Sequence, residues 1–454
     1  MKPVAQFNWQ QPLWPKFTFD RASLEEELIS FEAAIARVKK ALEKPLNQNA
    51  VMNALVDEAM KTSAIEGVRI DESVVMSSIC KALGMTNVPF GFTKDVRAEG
   101  VAQMVLSVKE DWNKPISAKL IRSWHAALLA NDPRGIAVGD FRSHAEPMRV
   151  IRRDAYGEIE VRFEAPPSAR VPEEISKFVE IWRGKASTPE AVALKATFLH
   201  PHFESIHPFE DGNGRVGRAL VAKTIAEGLG RSLVLPVSTV IDRHRKDYYE
   251  AIHGASQSLD WTDWAKFFIP VLAETLNDFV SASQFVAAKC EYLARYEQRM
   301  SERAKKVISR MFRDGVEGVA AGLSAAKWMR MTKVSKPTAT RDLEELEKAG
   351  AIIREGESVA THYYLNFTLH EPLGTINGTI NEPDEEINEP IHEPLFGTIN
   401  ETIKCNPGIG LQSLSAIVGK SRRTVARAVA ALIKAGKIEH RGSKKTGGYW
   451  RIEN

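Results

Sequence analysis

From Arg21 to about Arg299 the apolar residues of this chain return every three or four positions, and that spacing is broken once. Such a period puts one stripe of each helix against a core. It commits this part of the chain to packed helices and excludes a large sheet. Leu24, Leu28, Phe31, Ile35 and Val38 form one stripe. Met52, Leu55, Val56, Ala59 and Met60 form another over 49–65, ending at Glu66-Gly67, since a glycine just past a helix is a common stop. Further helices are predicted over 95–111, 117–129 and 171–184, and from Glu190 onward. The interruption spans 146–163, where Met148, Val150, Ile151, Ile159, Val161 and Phe163 flank Asp154-Ala155-Tyr156-Gly157. Short β-prone runs around a glycine-containing turn predict a β-hairpin. A lone hairpin is marginal by itself and reads as a flap over a site. Ahead of the helices, Trp9, Pro12, Trp14, Pro15, Phe17 and Phe19 predict an irregular arm stapled to the core by its aromatics.

Global charge names no partner, because 61 basic residues nearly cancel 58 acidic ones. Cys80, Cys290 and Cys405 are too far apart for a Cys-x-x-Cys site or a disulfide framework. No apolar run approaches the ~18–20 residues of a membrane span, and no apolar stretch follows Lys2 as in a signal peptide. A cytoplasmic protein with no membrane partner is expected.

The chemistry concentrates in His207-Pro208-Phe209-Glu210-Asp211-Gly212-Asn213-Gly214-Arg215-Val216-Gly217-Arg218. Two glycines just before helical text let backbone N–H groups curl into an anion nest, and the following helix start adds partial positive charge. Arg215 and Arg218, three apart, emerge on one side of that helix. Two guanidiniums beside a nest suit a polyphosphate. Asp211 can hold Mg²⁺ together with phosphate oxygens, and His207 has the proton affinity of a general base. Asp-Gly-Asn-Gly also reads as a plain turn. His200, His202 and His207 suggest a metal set, but no His-Glu-x-x-His run or cysteine pair completes one, and His202 is expected to be a hydrogen-bonded core residue.

This segment resembles, at every defined position, the Fic signature His-Pro-Phe-x-Asp/Glu-Gly-Asn-Gly-Arg-x-x-Arg. Gly139-Asp140-Phe141-Arg142, Pro166-Pro167 and Asp247-Tyr248-Tyr249 are similar to landmarks of that family, over roughly residues 1–290. The resemblance implies a mainly α protein, an all-α Fic core with a β-hairpin flap. It further implies transfer of AMP from ATP to a Tyr, Thr or Ser hydroxyl of a protein, with the chain itself as one candidate target. Carried over, His207 deprotonates that hydroxyl and Asp211 binds Mg²⁺. The backbone from Gly212 through Asn213 and Gly214 to Val216 and Gly217 cradles phosphates, Arg215 takes the β-phosphate and Arg218 the γ-phosphate. Phe209 is a core anchor. Met148, Arg149, Val150 and Ile151 of the flap align the target by strand addition. Tyr248 and Tyr249 line the nucleotide pocket, as does Ser256, which stands where many members carry an asparagine near the adenine. Thr62-Ser63-Ala64-Ile65-Glu66-Gly67 resembles the family's inhibitory helix motif, in which Glu66, with Thr62, occupies Arg218 in place of the γ-phosphate.

The text changes at Ser301. Helical stretches near Ala304–Met311, Ser324–Met331 and Lys336–Lys348 precede two strand-like runs, Ala351–Ile353 and His362–Leu365, an order that resembles a winged helix-turn-helix. An acidic, low-complexity linker follows over 368–400, with repeated Gly-Thr-Ile-Asn and Glu-Pro. The last segment repeats the winged order, and from Lys420 to Lys445 it holds nine Lys/Arg against one acid, Glu439. DNA is the partner expected there, with Arg422, Arg423 and Arg427 on the presumed recognition helix and Lys444 and Lys445 on the wing. The expected division is 1–95 arm and inhibitory region, 96–300 Fic core, 301–367 a small α+β winged-helix domain, 368–400 linker, and 401–454 a second, basic winged helix. The reading is a self-inhibited adenylyltransferase using ATP and Mg²⁺, with a homodimer as a further candidate assembly. Its rivals are hydrolytic removal of AMP and a DNA-binding regulator whose Fic domain senses nucleotide.

Overall fold

A computed structural model describes residues 7–85, 95–130, 132–153, 159–356 and 361–367. Towards the end of the chain it describes 399, 402–404, 414, 425, 429, 432–433, 437–441 and 448–451. The chain divides into two units, Met1–Gly374 and Thr375–Asn454.

The first unit is built from helices α1 (Glu25–Ala41), α2 (Gln48–Ile65), α3 (Glu72–Ala82), α4 (Val96–Glu110), α5 (Ala118–Leu128), α6 (Val171–Trp182), α7 (Pro189–Ile206), α8 (Asn213–Leu229), α9 (Val237–Arg243), α10 (Arg245–Gln257) and α11 (Thr262–Tyr296). Side-chain caps start several of them, with Asn47, Asp71, Asp95, Ser117 and Thr188 each accepting a first-turn N–H. The hairpin pairs β1 (Arg149–Arg153) with β2 (Ile159–Glu164) antiparallel, with an irregularity between Val150 and Ile151. Its turn, Asp154 to Gly157, lies outside the described residues. The aromatic arm is stapled down as expected. Phe17 stacks on Trp261 at 4.3 Å and on Trp182 at 5.7 Å, and the Trp14 indole donates to Glu174.

α8 is buried on every side through most of its length, which makes it the axle of the core; α7 packs along it. α7 runs through Pro201. Proline lacks an N–H and frees the carbonyl four residues earlier. That carbonyl, Thr197 O, accepts the Trp264 indole at 2.8 Å.

α11, about 52 Å long at 1.5 Å per residue, carries Tyr292 and Tyr296 into a second, smaller core. That core closes α12 (Glu302–Arg313), α13 (Gly315–Ala320), α14 (Ala325–Thr332), α15 (Lys336–Lys348) and the antiparallel pair β3 (Ile352–Glu355) and β4 (His362–Leu365) around Trp328, Leu343 and Phe312. The order matches expectation apart from α13, which the sequence did not announce. In the second unit, Ile399, Ile403, Leu414, Val425, Val429, Leu432 and Ile438 share a core beside the antiparallel pair β5 (Ile438–Arg441) and β6 (Gly448–Arg451). Arg422, Arg423, Arg427, Lys444 and Lys445 lie outside the described residues, as does nearly all of the 368–400 stretch. Among the described residues, no helix is long and apolar enough to cross a membrane.

Candidate active site

The site forms where α7 hands over to α8. α7 ends at Ile206, and His207 takes a left-handed conformation, φ 51° and ψ 58°. For a residue with a side chain this costs on the order of 1–3 kcal/mol, so something must hold it. Buried Arg142 does so: its guanidinium donates to His207 O (2.7 Å), Pro166 O (2.5 Å), Ile206 O (3.3 Å) and Ser168 Oγ (2.9 Å). Burial pushes the Arg142 guanidinium down to about 10.

Burial, helped by Arg142, pushes the His207 imidazole down to about 4, so the ring is neutral at pH 7. Burial, and then the Glu66 carboxylate, push the Glu204 carboxyl up to about 8. Glu204 Oε2 lies 3.7 Å from His207 Nδ1. With those proton affinities the contact joins two neutral groups and is not an ion pair. His207 opens onto a cavity of about 690 Å³ that Met148, Arg149, Val150 and Ile151 of the flap also line, together with Glu66 and Gly212 to Gly214. Tyr248, Tyr249 and Ser256 line it as well.

The loop before α8 is fixed by its own side chains. Asn213 accepts the Phe209 N–H at 2.9 Å and donates to Phe209 O at 2.8 Å. Phe209 is fully buried and stacks on His125 at 3.8 Å, an anchor as expected. His125 Nδ1 accepts from Gly139 N, so Nε2 carries the proton donated to Asp211 O at 3.0 Å. Gly212, at φ 87°, makes the left-handed entry to α8 that a side chain would disfavour. The first-turn N–H groups of α8 then have no intrahelical acceptor and form a ready anion seat.

The carboxylate of Asp211 is held from two sides, by Arg215 (2.9 Å) and by Arg134 (2.6 Å). Burial opposes its ionisation, but these two arginines hold it below the usual carboxylate range. Arg134 also binds Asp132 at 2.7 Å. Among the described residues no group of three or more acidic, His or Cys side chains is arranged to hold a metal ion. A single carboxylate suits Mg²⁺ only when phosphate oxygens complete its shell, and here Arg134, about half exposed, must first release Asp211 Oδ2.

Arg218 is fully buried and faces the end of α2. Its Nη2 lies 2.8 Å from Glu66 Oε1 and 2.9 Å from Thr62 O, and its Nε donates to Thr62 Oγ1 at 3.0 Å. Burial alone would lower its proton affinity, but the Glu66 carboxylate more than offsets that. Gly214 completes the fit, because a Cβ there would collide with Glu66 Oε1. From α10, the Tyr249 hydroxyl (2.7 Å) and Arg245 (2.6 Å) both donate to Ile65 O. Tyr248 is buried, and its hydroxyl meets His200 Nε2 at 2.8 Å. His202 Nδ1 accepts the Trp182 indole at 3.0 Å, the core role expected of it.

Val216 and Gly217, both expected at phosphates, do not line the cavity of His207. Val216 is buried in the hydrophobic core, and Gly217 backs onto His200 and Glu204. The 3.6-residue turn that brings Arg215 and Arg218 to their partners sends the two positions between them inward. Arg134, Arg245, Glu204 and His125 belong to the site and were not singled out in the sequence. Arg142 was noticed only as part of a landmark.

The fold and this junction define a class: an all-α domain with a β-hairpin flap set beside a glycine- and arginine-rich helix start. Residues 115–224 match the Fic/DOC family and residues 7–85 match a domain of unknown function, DUF4172. The chain thus carries a Fic/DOC family domain. A probable protein adenylyltransferase of Aquifex aeolicus is 35% identical over 96 residues, 21% of this chain and 27% of that protein. The chain therefore spans about a quarter of the length of that relative. Among solved structures, a Fic family protein of Desulfovibrio desulfuricans is 19% identical with a TM-score of 0.48, covering 78% of this chain and 98% of the other. A Fic domain containing signaling protein of Bacteroides thetaiotaomicron is 18% identical with a TM-score of 0.42, covering 56% and 97%.

Proposed function

We propose that the chain is a protein adenylyltransferase that holds itself inhibited. The observation carrying this is the pairing of Glu66 on the cavity wall with fully buried Arg218, beside a helix-start anion seat and a neutral His207 that share that cavity. ATP would lay its α-phosphate on the first turn of α8. His207 takes the proton of a Tyr, Thr or Ser hydroxyl on a protein target aligned along the flap. The hydroxyl oxygen bonds to the α-phosphorus, the bond from that phosphorus to the bridging oxygen of the β-phosphate breaks, and pyrophosphate leaves. Asp211 would hold Mg²⁺, which would supply charge neutralisation at the phosphates. Arg215 steadies Asp211 and the departing charge, and Arg218 serves the γ-phosphate when Glu66 withdraws.

The exposed apolar edge of the flap, Val150 and Ile151 beside Ile159 and Val161, supports strand addition by the target. Hydrolytic removal of AMP is the second reading, favoured by the position of Glu66 on the cavity wall, where a carboxylate can orient water. The helix order and strand pair from α12 to β4, and the strand pair β5–β6 of the last module, support winged helices, and the basic run from Lys420 supports DNA as the partner of the last module. We also propose a cytoplasmic location. Purified protein incubated with α-labelled ATP tests the reading: label on protein, increased in Glu66→Gly, is expected. Label lost from pre-modified protein, with none gained, would favour the hydrolytic reading. No covalent label gained or lost in either form would remove the enzyme.

A further inference from the structure

Asp211 stands between two cavities. One is the cavity of His207 and the flap. The other, of about 650 Å³, lies under the end of α2 and shares only Asp211 with the first. Its wall carries four guanidiniums, from Arg69, Arg97, Arg134 and Arg215, against two carboxylates, Asp132 and Asp211. Both carboxylates are already bound by Arg134. Arg69 is exposed and has no ion pair or hydrogen bond among the described residues. Arg97 has only Asp95, at 3.7 Å. Two lining residues that are more than nine-tenths buried carry polar atoms without a protein partner: Arg215 at Nε and Ser63 at Oγ. A wall with excess guanidinium suits a compact polyanion.

We infer that this second cavity binds a small polyphosphate anion of the pyrophosphate class and receives the leaving group of the transfer reaction. The second half of the inference rests on the adenylyl-transfer reading. In a displacement at phosphorus the attacking and leaving oxygens stand roughly in line. The attacking hydroxyl comes from the cavity of His207 and the flap, so the leaving group departs away from it. Asp211 bridges the two spaces, and Arg215, which lines the second cavity, grips it. Arg134 closes the passage by clasping Asp132 and Asp211, and its half-exposed side chain can swing out as pyrophosphate passes. Arg69 and Arg97 then draw the anion toward solvent.

The test is calorimetric titration of the full chain with sodium pyrophosphate while AMP saturates the first cavity, in wild type and in the double variant Arg69→Ala/Arg97→Ala. Both side chains are exposed, so the fold should survive, and circular dichroism checks it. Pyrophosphate is expected to bind alongside AMP and to weaken about tenfold or more in the double variant, the scale of losing charge-assisted bonds, while ATP affinity stays as in wild type. Arg69→Lys/Arg97→Lys should recover most of the loss. Unchanged pyrophosphate affinity in the double variant would overturn the site. So would displacement of pyrophosphate by AMP, or an equal fall in ATP affinity. Arginine-dependent pyrophosphate binding in a protein that never transfers AMP would keep the anion site and overturn its role as an exit.

Discussion

The α7–α8 region and the module of α12 to β4 use buried charge in opposite ways. In the small module Asp342 is the one fully charged side chain buried among the described residues, and Arg303 and the Trp328 indole bind it. Its apolar stripes face inward and serines cap α12 and α14. Along α7 and α8, by contrast, Arg215 and Arg218 are buried at the junction that holds Glu204, which keeps its proton at pH 7, and a left-handed His207, while Lys195 and Lys223 are buried further along on Glu227. Burying charge costs stability unless it is paired. Local rules that agree throughout make a module that needs only packing, and a cluster that breaks several of them marks the place where chemistry is done.

That contrast predicts different consequences for single changes. His207→Ala should lower AMP transfer by ~10²–10⁴-fold or more and leave ATP binding intact, measured as labelled protein and by titration. Retained transfer would dissolve the special status of the junction. Trp328→Ala removes the largest buried side chain of the small module and should cost ~3–5 kcal/mol there. Chemical denaturation would show it, with ATP affinity unchanged. A matching loss of ATP affinity would mean that the two regions are not separate energetically.

The third test is pH. Burial lowers His200 and His202 to about 3, from 6.5. Below pH 6.5 the unfolded chain binds protons that the folded chain refuses, so stability falls as pH drops from 6.5 toward 3. Glu204 has the opposite sign. Burial and Glu66 raise it from 4.5 to about 8, so its contribution is fully present below 4.5 and is lost as pH rises toward 8. Glu204→Gln, which mimics the protonated acid, should flatten that loss and raise the thermal midpoint at pH 8 by a few degrees, on the order of 2–4 °C per kcal/mol. The small module, whose Asp342 is held low despite burial by Arg303 and Trp328, should lack the decline between 4.5 and 8. The smallest effect is expected at the basic tail. Neutralising Lys444 and Lys445 should reduce the salt slope of DNA binding by ~1 for each phosphate that a lysine no longer neutralises, read by anisotropy at two salt concentrations.

Much of the junction was legible because its parts are contiguous. His207 to Arg218 presents base, carboxylate, glycines and arginines in twelve consecutive residues, and the three- and four-residue spacing of apolar side chains marked most helices. α3 escaped because its Ser-Ser centre dilutes the apolar stripe, although Asp71 caps it. α13 escaped because two of its six residues are glycine. The missed site residues act through space. Arg134 reaches Asp211 across 77 positions and Arg245 reaches Ile65 across 180, and no local pattern announces such a meeting. Glu204 sits within three residues of His207, yet its proton is retained because of burial and Glu66, neither of which a sequence period displays.

The central claim is that Glu66 occupies Arg218 at the expense of nucleotide. Calorimetric titration of ATP with Mg²⁺ into wild type and Glu66→Gly tests it most directly. The pair is partly desolvated and charge-assisted, a class worth about 1.5–3 kcal/mol, so the variant should bind ATP about ten- to a hundredfold more tightly. Glu66→Asp, one methylene shorter, should fall between. Equal ATP affinity in wild type and Glu66→Gly would contradict the lock.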